Sequence, residues 1–339
     1  MKKNVVKKLA AVGCTIAMTL ASTACGTTQQ TVNNKQTTDT DGYKVAIVKQ
    51  MDHASLDEIA DAIAARLESL ETEKNVTIEY DIYSGQGEQT TLMQIGEQVI
   101  SDDVDAIIPI ATLAAQVMTS CAEESETPVV FAAISDPASA SLTGIDYVTG
   151  TSDALDTEFI IDMMLAQQKD IKTVGLLYSL SEANSATPIA EAKAYLEQKG
   201  IRYVEQTAST NDEVIAAAAS LIASDVDAIF TPTDNVIMAA ELAIYEELAN
   251  AGIPHYTGAD SFVRNGAFAT CGVNYTELGT KTAELAYTAM SEGMEAMEDY
   301  YLMDAGTITV NTETAAMLQM DYSAFKQMGE ITEVETTQE

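Results

Sequence analysis

Seven short segments carry most of the side chains that could bind a small molecule, and each follows a predicted β-strand. In chain order they are KQMDH (49–53), SGQGEQTT (84–91), AT (111–112), AISDP (133–137), SLSEANS (179–185), TPTDN (231–235) and GADS (258–261). Hydroxyls, amides and single carboxylates dominate this set. Such groups hold small polar molecules by hydrogen bonds.

A zwitterion could be held by this set without any basic side chain, because helix N-termini offer N–H donors to its carboxylate. The candidate donors lie where helices are predicted to begin, at Thr112, within 86–90, and at Asn184 and Ser185. The candidate partners for its ammonium are Asp136, Asp234 and Asp260. Any one of these residues could instead be an ordinary helix cap, since Ser, Thr, Asp and Asn are the preferred caps. The hypothesis therefore depends on several of them meeting in one cleft.

The same segments lack the groups that most enzymes use. Gly85 and Gly87 resemble the start of a dinucleotide loop, but Thr90 replaces the third glycine. No nucleophile elbow and no P-loop occurs in the sequence. His53 and His255 have no second ligand at helical spacing, so a metal site would need both of them to close on one cleft. We predict no catalytic residue, no cofactor and no metal.

Strand and helix patterns alternate along the chain and position these segments. Strands are predicted at 44–48, 76–83, 106–110, 129–132, 173–178, 201–205, 228–230 and 254–257, and helices at 88–100, 186–199, 212–223 and 236–250, with two more after the first and third strands. In the first of those two helices, apolar residues recur at helical spacing from Leu56 to Leu70. Strands separated by helices indicate βαβ units and a parallel sheet. The fold class is therefore α/β, with two doubly wound parallel-sheet lobes.

An internal repeat supports two lobes of one plan. The sequence DVDAI occurs at 103–107 and again at 225–229, each time between a predicted helix and a strand. Ligands of open α/β sheets bind beyond the carboxyl ends of the strands. We therefore expect the binding site in the cleft between the lobes.

The N-terminus has the features of a secretory signal. Four lysines precede a 12-residue apolar run from Leu9 to Leu20, which is too short to span a bilayer. Small residues and then Cys25 follow, which resembles the lipobox of bacterial lipoproteins, although Ser22 stands where that motif usually has leucine. We predict a signal peptide at 1–24, lipidation of Cys25 and a polar tether at 25–42. Cleavage after Ala24 without lipidation is the alternative.

The charge of the chain restricts its partners. The formal net charge is -35 over 339 residues, which argues against nucleic acid, because phosphate binding needs clustered Lys and Arg. Cys121 and Cys271 remain in the folded body, and their apolar surroundings predict buried free thiols.

Six motifs spread over both lobes resemble one family, the ABC-transporter substrate-binding lipoproteins that include tryptophan and tyrosine binders. They are SGQGEQTTLMQIGEQ (84–98), ATLAAQ (111–116), FAAISDP (131–137), YSLSEANS (178–185), PTDN (232–235) and GADSFVRNGAFATCGVNYTELGTKTA (258–283). The resemblance covers about residues 43–310. It departs at Leu113, where the family usually has proline, and in the stretch after Pro137, and both places border the expected cleft.

The resemblance implies a type I periplasmic-binding-protein fold whose lobes are joined by a three-crossover hinge. Lobe 1 is then expected to comprise 43–150 and 273–304, and lobe 2 to comprise 151–272 and 305–325. The ligand-binding residues that it implies are Asn184, Ser185, Asp234, Asn235, Thr112, Gln86, Ser135 and Asp260. With no tryptophan in the chain, Tyr83 and Tyr178 are the candidate stacking partners.

The function expected from the resemblance is capture of an amino acid, aromatic by analogy, and its delivery to an ABC permease with its ATPase. The protein would act as a monomer on the outer face of the membrane, anchored through Cys25. One alternative is a receptor that senses a ligand and contacts a membrane signalling protein. Another is a secreted enzyme that uses cleft carboxylates, although nothing selects a pair among the 52 acidic residues.

Overall fold

The computed structural model describes residues 42–304 and 306–337. The predicted signal peptide, the lipidation at Cys25 and the tether as far as residue 41 lie outside these residues. Within the described ranges, no helix combines the length and the apolar character needed to cross a bilayer.

Thirteen strands and ten α-helices alternate along the described residues. The strands are β1 (Gly42–Lys49), β2 (Thr77–Ser84), β3 (Ala106–Ile110), β4 (Val129–Phe131), β5 (Val148–Ser152), β6 (Thr173–Tyr178), β7 (Arg202–Thr207), β8 (Ala228–Thr231), β9 (His255–Thr257), β10 (Ala269–Gly272), β11 (Tyr301–Leu302), β12 (Thr307–Asn311) and β13 (Ile331–Val334). The helices are α1 (Ala54–Lys74), α2 (Gln89–Ser101), α3 (Thr112–Ala122), α4 (Thr157–Gln167), α5 (Ala186–Lys199), α6 (Asn211–Ala223), α7 (Asn235–Asn250), α8 (Asp260–Arg264), α9 (Tyr275–Glu292) and α10 (Thr312–Met317).

Two sheets divide the strands between them. The first has the order β11-β5-β4-β3-β1-β2 and is parallel throughout. The second has the order β13-β12-β10-β9-β8-β6-β7, with one antiparallel pairing, between β10 and β12. Lobe 1 is the first sheet with α1, α2, α3 and α9, and lobe 2 is the second sheet with the other helices. The predicted fold class is confirmed.

The first five strands of each sheet are arranged in the same way, as β2-β1-β3-β4-β5 and as β7-β6-β8-β9-β10. In this order the chain reverses direction across the sheet between the first and third strands, which is where ligands bind in doubly wound folds. The chain passes between the sheets three times, after β5, after β10 and after β11. The predicted boundaries put the first crossing at residue 150 and the end of lobe 2 at residue 325. In the structure, β5 of the first sheet extends to Ser152, and β13 of the second sheet lies beyond residue 325. The predicted lobe boundaries stay a prediction.

The DVDAI repeat has the same structure in both lobes. Asp103 and Asp225 have left-handed backbones, with φ of 55° and 54°. Two residues later, Asp105 accepts a hydrogen bond from Lys44 N at 2.7 Å, and Asp227 accepts one from Lys172 N at 2.7 Å. Each aspartate thus joins the start of the third strand to the start of the first.

Helix α1 shows how the sequence builds these lobes. Leu56, Ile59, Ile63, Leu67 and Leu70 form its buried stripe, as predicted, and the helix packs on α9. It ends at a left-handed C-cap residue, which is a common way to stop a helix. Cys121 and Cys271 are free thiols, the first half-buried and the second buried.

Candidate ligand-binding site

A small closed cavity of about 20 Å³ lies between the lobes. Its wall is formed by residues of both lobes: His53, Ser55, Leu56, Ala111, Thr112, Ala133, Asp153, Asn184, Thr233, Asp234, Asn235, Met238, Ala259, Phe262 and Tyr275. Most of these residues follow the carboxyl end of a strand, and those after β1, β3, β6 and β8 flank the two points where strand order reverses.

Two alanines in this wall have a backbone that L-residues rarely adopt. Ala111 follows β3 with φ of 75°, and Ala133 follows β4 with φ of 57°. Such left-handed residues cost energy and cluster at functional sites, where the surrounding structure holds them. Here they turn the chain sharply at the edge of the cavity.

Hydrogen bonds join the two lobes directly around the cavity. His53 pairs with Asn235 at 3.0 Å, and the hydroxyls of Ser55 and Ser261 meet at 2.5 Å. Further cross-lobe contacts are Ser135 with Thr233 at 3.0 Å, Thr187 with Asp136 at 2.8 Å, and an ion pair between Arg264 and Glu58. The structure is therefore a closed arrangement of the lobes.

One polar network runs from helix α3 to His53. Leu113 N donates to Gln50 Oε1 at 3.0 Å, and Gln50 Nε2 donates to Glu182 Oε1 at 2.8 Å. Asn235 Nδ2 donates to the other carboxylate oxygen of Glu182 at 2.6 Å, and its own Oδ1 faces His53 Nε2. Glu182 thus accepts from both lobes.

A second network surrounds Asp153, which is 3% exposed. Ser135 Oγ donates to Asp153 Oδ1 at 2.9 Å, and the Tyr275 hydroxyl donates to Oδ2 at 3.1 Å. Ser135 also meets the Thr233 hydroxyl, and Asn184 Nδ2 donates to the Thr233 carbonyl at 2.6 Å. Asp153 and Tyr275 lie at two of the three passages between the sheets.

Three buried polar atoms of the cavity wall have no hydrogen-bond partner among the described residues. They are His53 Nδ1, Thr112 Oγ1 and Asn184 Oδ1. Buried polar groups in proteins are nearly always paired, and each exception calls for an explanation. A polar ligand in this cavity would supply the missing partners.

Burial determines the protonation of the ionisable groups around the cavity. It raises the pKa of Asp153 and Asp234 and raises the pKa of Glu182 to about 7, because the charged carboxylates lose hydration. It lowers the pKa of His53 to about 4, so its ring is neutral at neutral pH. Among the described residues, neither Lys nor Arg lines the cavity.

Helix N-termini provide the donors that basic side chains do not. The N-cap residues of α1 and α3, both at the cavity, make no side-chain cap. Gln50 accepts from Leu113 N in the first turn of α3, and the other first-turn N–H groups are left for another acceptor. Helix α7 differs, because Asp234 Oδ1 accepts from Val236 N and Ile237 N at 3.1 Å. The other oxygen of Asp234 accepts from Ser179 N and Ser185 Oγ, so four protein donors occupy this carboxylate.

The apolar wall consists of Leu56, Met238 and Phe262, with the ring of Tyr275. Tyr83 and Tyr178, the candidate stacking partners, do not reach the cavity. Tyr178 instead donates to Glu205 on the adjacent strand β7. Stacking of either tyrosine on a ligand stays a prediction.

The structure brings together four of the eight predicted ligand-binding residues, since Thr112, Asn184, Asp234 and Asn235 all line the cavity. Ser135 lies behind the wall and reaches it through Asp153. The other three are placed elsewhere: Ser185 donates to Asp234, Asp260 pairs with Arg264 at 2.5 Å, and Gln86 is exposed in the β2–α2 loop. Ligand contact by these residues stays a prediction.

His255 is a packed residue of lobe 2. Its Nδ1 lies 3.0 Å from Glu241 Oε1 and its Nε2 lies 2.8 Å from the Thr231 hydroxyl. His53 belongs to the cavity instead. Among residues 42–304 and 306–337, no cluster of three or more His, Cys, Asp and Glu side chains could hold a metal ion.

Comparison with known proteins agrees with this geometry. The family described as ABC transporter substrate binding protein matches residues 44–324. The tyrosine-binding protein of Clostridioides difficile strain R20291 is 28% identical over 293 residues, covering 85% of this chain and 84% of that protein. An uncharacterized protein of Rickettsia prowazekii is 25% identical over 285 residues, covering 83% of this chain and 86% of its own length.

Solved structures show the same architecture. An ABC domain from Streptococcus pneumonia in complex with L-Trp matches with a TM-score of 0.79 at 27% identity, covering 86% of this chain and all of that one. The ligand-free, open structure of a Clostridium difficile substrate-binding protein with adhesive properties matches with a TM-score of 0.65 at 27% identity, covering 87% of this chain and all of that one. With the two lobes, the cavity between them and a match over most of its length, this chain belongs to the family of ABC transporter substrate-binding proteins.

Proposed function

We propose that this protein captures an aromatic amino acid, Tyr, Trp or Phe, in the interlobe cavity and delivers it to an ABC permease with its ATPase. The observation that carries the proposal is that one cavity holds a buried carboxylate and two helix N-termini whose N-cap residues make no side-chain cap. These are the partners that the ammonium and the carboxylate of an amino acid need.

The ammonium is assigned to Asp153. Its two protein donors leave acceptor positions free, and the unpartnered Asn184 Oδ1 faces the same cavity. Asp234 is the weaker candidate, because four donors already occupy it. A buried carboxylate whose pKa is raised by desolvation gains most from a positive partner.

The carboxylate is assigned to the N-terminus of α3. Thr112 is its first residue, with a buried and unpartnered hydroxyl. Leu113 N already donates to Gln50, but the other first-turn N–H groups and the positive end of the helix dipole favour an anion there. Helix α1 begins on the same cavity and adds further donors.

The side chain of the ligand is assigned to the apolar wall of Leu56, Met238 and Phe262. The names of two relatives support an aromatic side chain, since one is a tyrosine-binding protein and the other was solved with L-Trp. Methionine and phenylalanine are suited to such a ring, because sulfur and aromatic faces make favourable contacts with it.

Delivery follows from closure. A ligand that contacts both lobes stabilises the closed arrangement, whose outer surface a permease can distinguish from the open one. We extend the proposal to the cell surface: the chain acts as a monomer outside the cytoplasm, held to the membrane by a lipid on Cys25. Transfer of radiolabelled lipid to the wild-type chain and not to Cys25→Ala tests the anchor.

A thermal melt against the twenty amino acids tests the ligand. The compact unit of residues 40–339 is unfolded and refolded first, to remove any ligand bound during expression. At 100 times its dissociation constant, a ligand of the native state should add about 2.7 kcal/mol, or about 5 °C. A shift confined to aromatic amino acids is expected. A well-folded protein that responds to no amino acid would refute the proposal.

A further inference from the structure

His53 offers the cavity an acceptor atom that neither the ammonium nor the carboxylate of the ligand uses. We propose that His53 Nδ1 accepts a hydrogen bond from a ring O–H or N–H of the bound amino acid, and thereby selects tyrosine or tryptophan over phenylalanine. The inference rests on the proposed function, since it presupposes an aromatic amino acid in the cavity.

The hydrogen bonds around His53 fix which ring nitrogen carries the proton. Asn235 uses its amide nitrogen to donate to Glu182, so its oxygen faces His53 Nε2 at 3.0 Å. An amide oxygen can only accept, and Nε2 must therefore be the protonated nitrogen. Gln50 donates to the same carboxylate, which gives the whole network one direction, with Glu182 as the common acceptor.

The neutral ring then leaves Nδ1 as a bare acceptor. Burial keeps His53 neutral at neutral pH, so one proton is present and Nε2 holds it. Nδ1 is buried, and the described part of the chain provides it with no partner. An acceptor left unpaired in a closed cavity is costly, and a ligand donor would remove that cost.

The position of His53 indicates that this donor belongs to the ligand's side chain. Asn235, the partner of His53, lies three residues before Met238 on α7, and His53 and Leu56 both line the cavity. Residues at this spacing share a helix face, so the His53–Asn235 pair borders the apolar wall.

The acceptors for the ammonium belong to the other network. Asp153 and Asn184 are linked to one another through Ser135 and Thr233, and no side-chain hydrogen bond among the described residues joins them to His53. The cavity therefore has separate acceptors for two donors, a charged one for the ammonium and a neutral one beside the apolar wall.

The test compares ligand pairs that differ in the ring donor alone. Dissociation constants are measured at pH 8 for L-tyrosine and L-phenylalanine, and for L-tryptophan and its analogue with sulfur in place of the indole N–H. The wild-type protein should prefer one donor-bearing ligand over its partner by roughly 10- to 100-fold. The pair that shows the preference identifies the ring.

Two variants then separate ligand contact from a structural role. His53→Leu removes the acceptor and also the bond to Asn235 across the lobes, so both ligands should bind more weakly. The preferred ligand should lose more, and should come to within about 3-fold of its donorless partner. His53→Asn places an amide oxygen near the position of Nδ1 and should restore most of the preference. If His53→Leu does not fold, His53→Asn and the wild-type ligand pairs still decide the question.

Several outcomes would overturn the inference. Equal wild-type affinities within both pairs would mean that the protein does not recognise a donor on the ligand's ring, while the proposed function would stand. An equal loss for both members of a pair in His53→Leu would assign His53 to the ligand backbone or to the fold. Failure of all four ligands to bind would refute the proposed function, and this inference with it.

Discussion

Replacing Asp153 with asparagine tests the charge that we assign to the ammonium. The substitution preserves shape, and both contacts can survive it: Ser135 can still donate to the remaining oxygen, and the Tyr275 hydroxyl can turn to accept from the new amide. Only the charge is lost. Losing one partner of a buried charge pair costs about 2–5 kcal/mol, which corresponds to roughly 30- to 5,000-fold in affinity.

The same substitution should not destabilise the ligand-free protein. Asp153 is almost completely buried, and desolvation raises its pKa, so its ionised form is held at a cost. The neutral amide avoids that cost. Asp153→Asn should therefore melt at the same temperature as the wild-type protein or higher, while its affinity for the amino acid falls.

The assay is calorimetric titration at pH 7.5 with two ligands. One is the amino acid that gives the largest melting shift, and the other is its analogue without the ammonium. The wild-type protein should bind the amino acid far more tightly than the analogue. In Asp153→Asn the amino acid should fall to about the affinity of the analogue, and the analogue should bind no worse than before. Unchanged affinity of the variant for the amino acid would refute the assignment.

Three further substitutions test the network, the cap and the lobe contact. The pKa of Glu182 is raised to about 7, so between pH 4.5 and 7 the folded protein binds more protons than the unfolded one. The free energy of unfolding should therefore decrease as the pH rises from 4.5 to 7. In urea titrations, Glu182→Gln should make this decrease smaller by up to about 3 kcal/mol. Asp234→Ala uncaps α7 and leaves buried donors unpaired, so the free energy of unfolding should drop by about 3 kcal/mol; a loss under 1 kcal/mol would contradict the capping role. Arg264→Met removes the cation between Glu58 and Asp260, and should weaken ligand binding by about 5- to 30-fold at low salt and less at high salt, whereas an equal loss at both would exclude the ion pair.

Periodicity predicted the elements that have strong patterns. The strand at 106–110, the strand at 173–178 and the helix at 186–199 were predicted with the bounds that the structure has. The two strands are short, mostly apolar segments, and the helix ends at Gly200, a residue that commonly stops helices. The DVDAI repeat was also informative, because Asp105 and Asp227 join the first and third strands of their lobes in the same way.

Elements with weak sequence patterns were not predicted, and a residue of the site was therefore missed. Strand β5 has the sequence VTGTS, in which valine is the one large apolar residue, and it was not identified as a strand. The rule that ligands contact residues after strands would have selected Asp153, which directly follows it. Helix α9 is rich in Ala and Thr, so its pattern gave no prediction of it, and Tyr275 at its start was not considered.

Residue type alone could not rank the polar residues that were inside the correct segments. His53 and Glu182 both lie in segments selected from the sequence, yet neither was proposed as a ligand contact. Their roles depend on partners that come from the other lobe, His53 through Asn235 and Glu182 through Gln50. Conversely, Asp234 was proposed as an ammonium partner, and the structure shows its carboxylate occupied by local donors. The burial of a carboxylate and the number of donors that already bind it depend on the assembled fold.

The choice of ligand class can be traced to the residues that begin the helices. Asp156, Thr210, Asp234 and Asn274 cap α4, α6, α7 and α9 with their side chains. The N-cap residues of α1 and α3 are His53 and Ala111, which make no such cap, and both of these helices begin at the cavity.

These two helix ends therefore retain donors for a carboxylate, while Asp153 retains acceptors for a cation. A neutral sugar would leave the desolvated Asp153 without a counter-charge, and a dianionic ligand would place a second negative charge beside it. A zwitterion satisfies both ends at once, and this is why a cavity without a Lys or Arg in its described lining can still hold an amino acid.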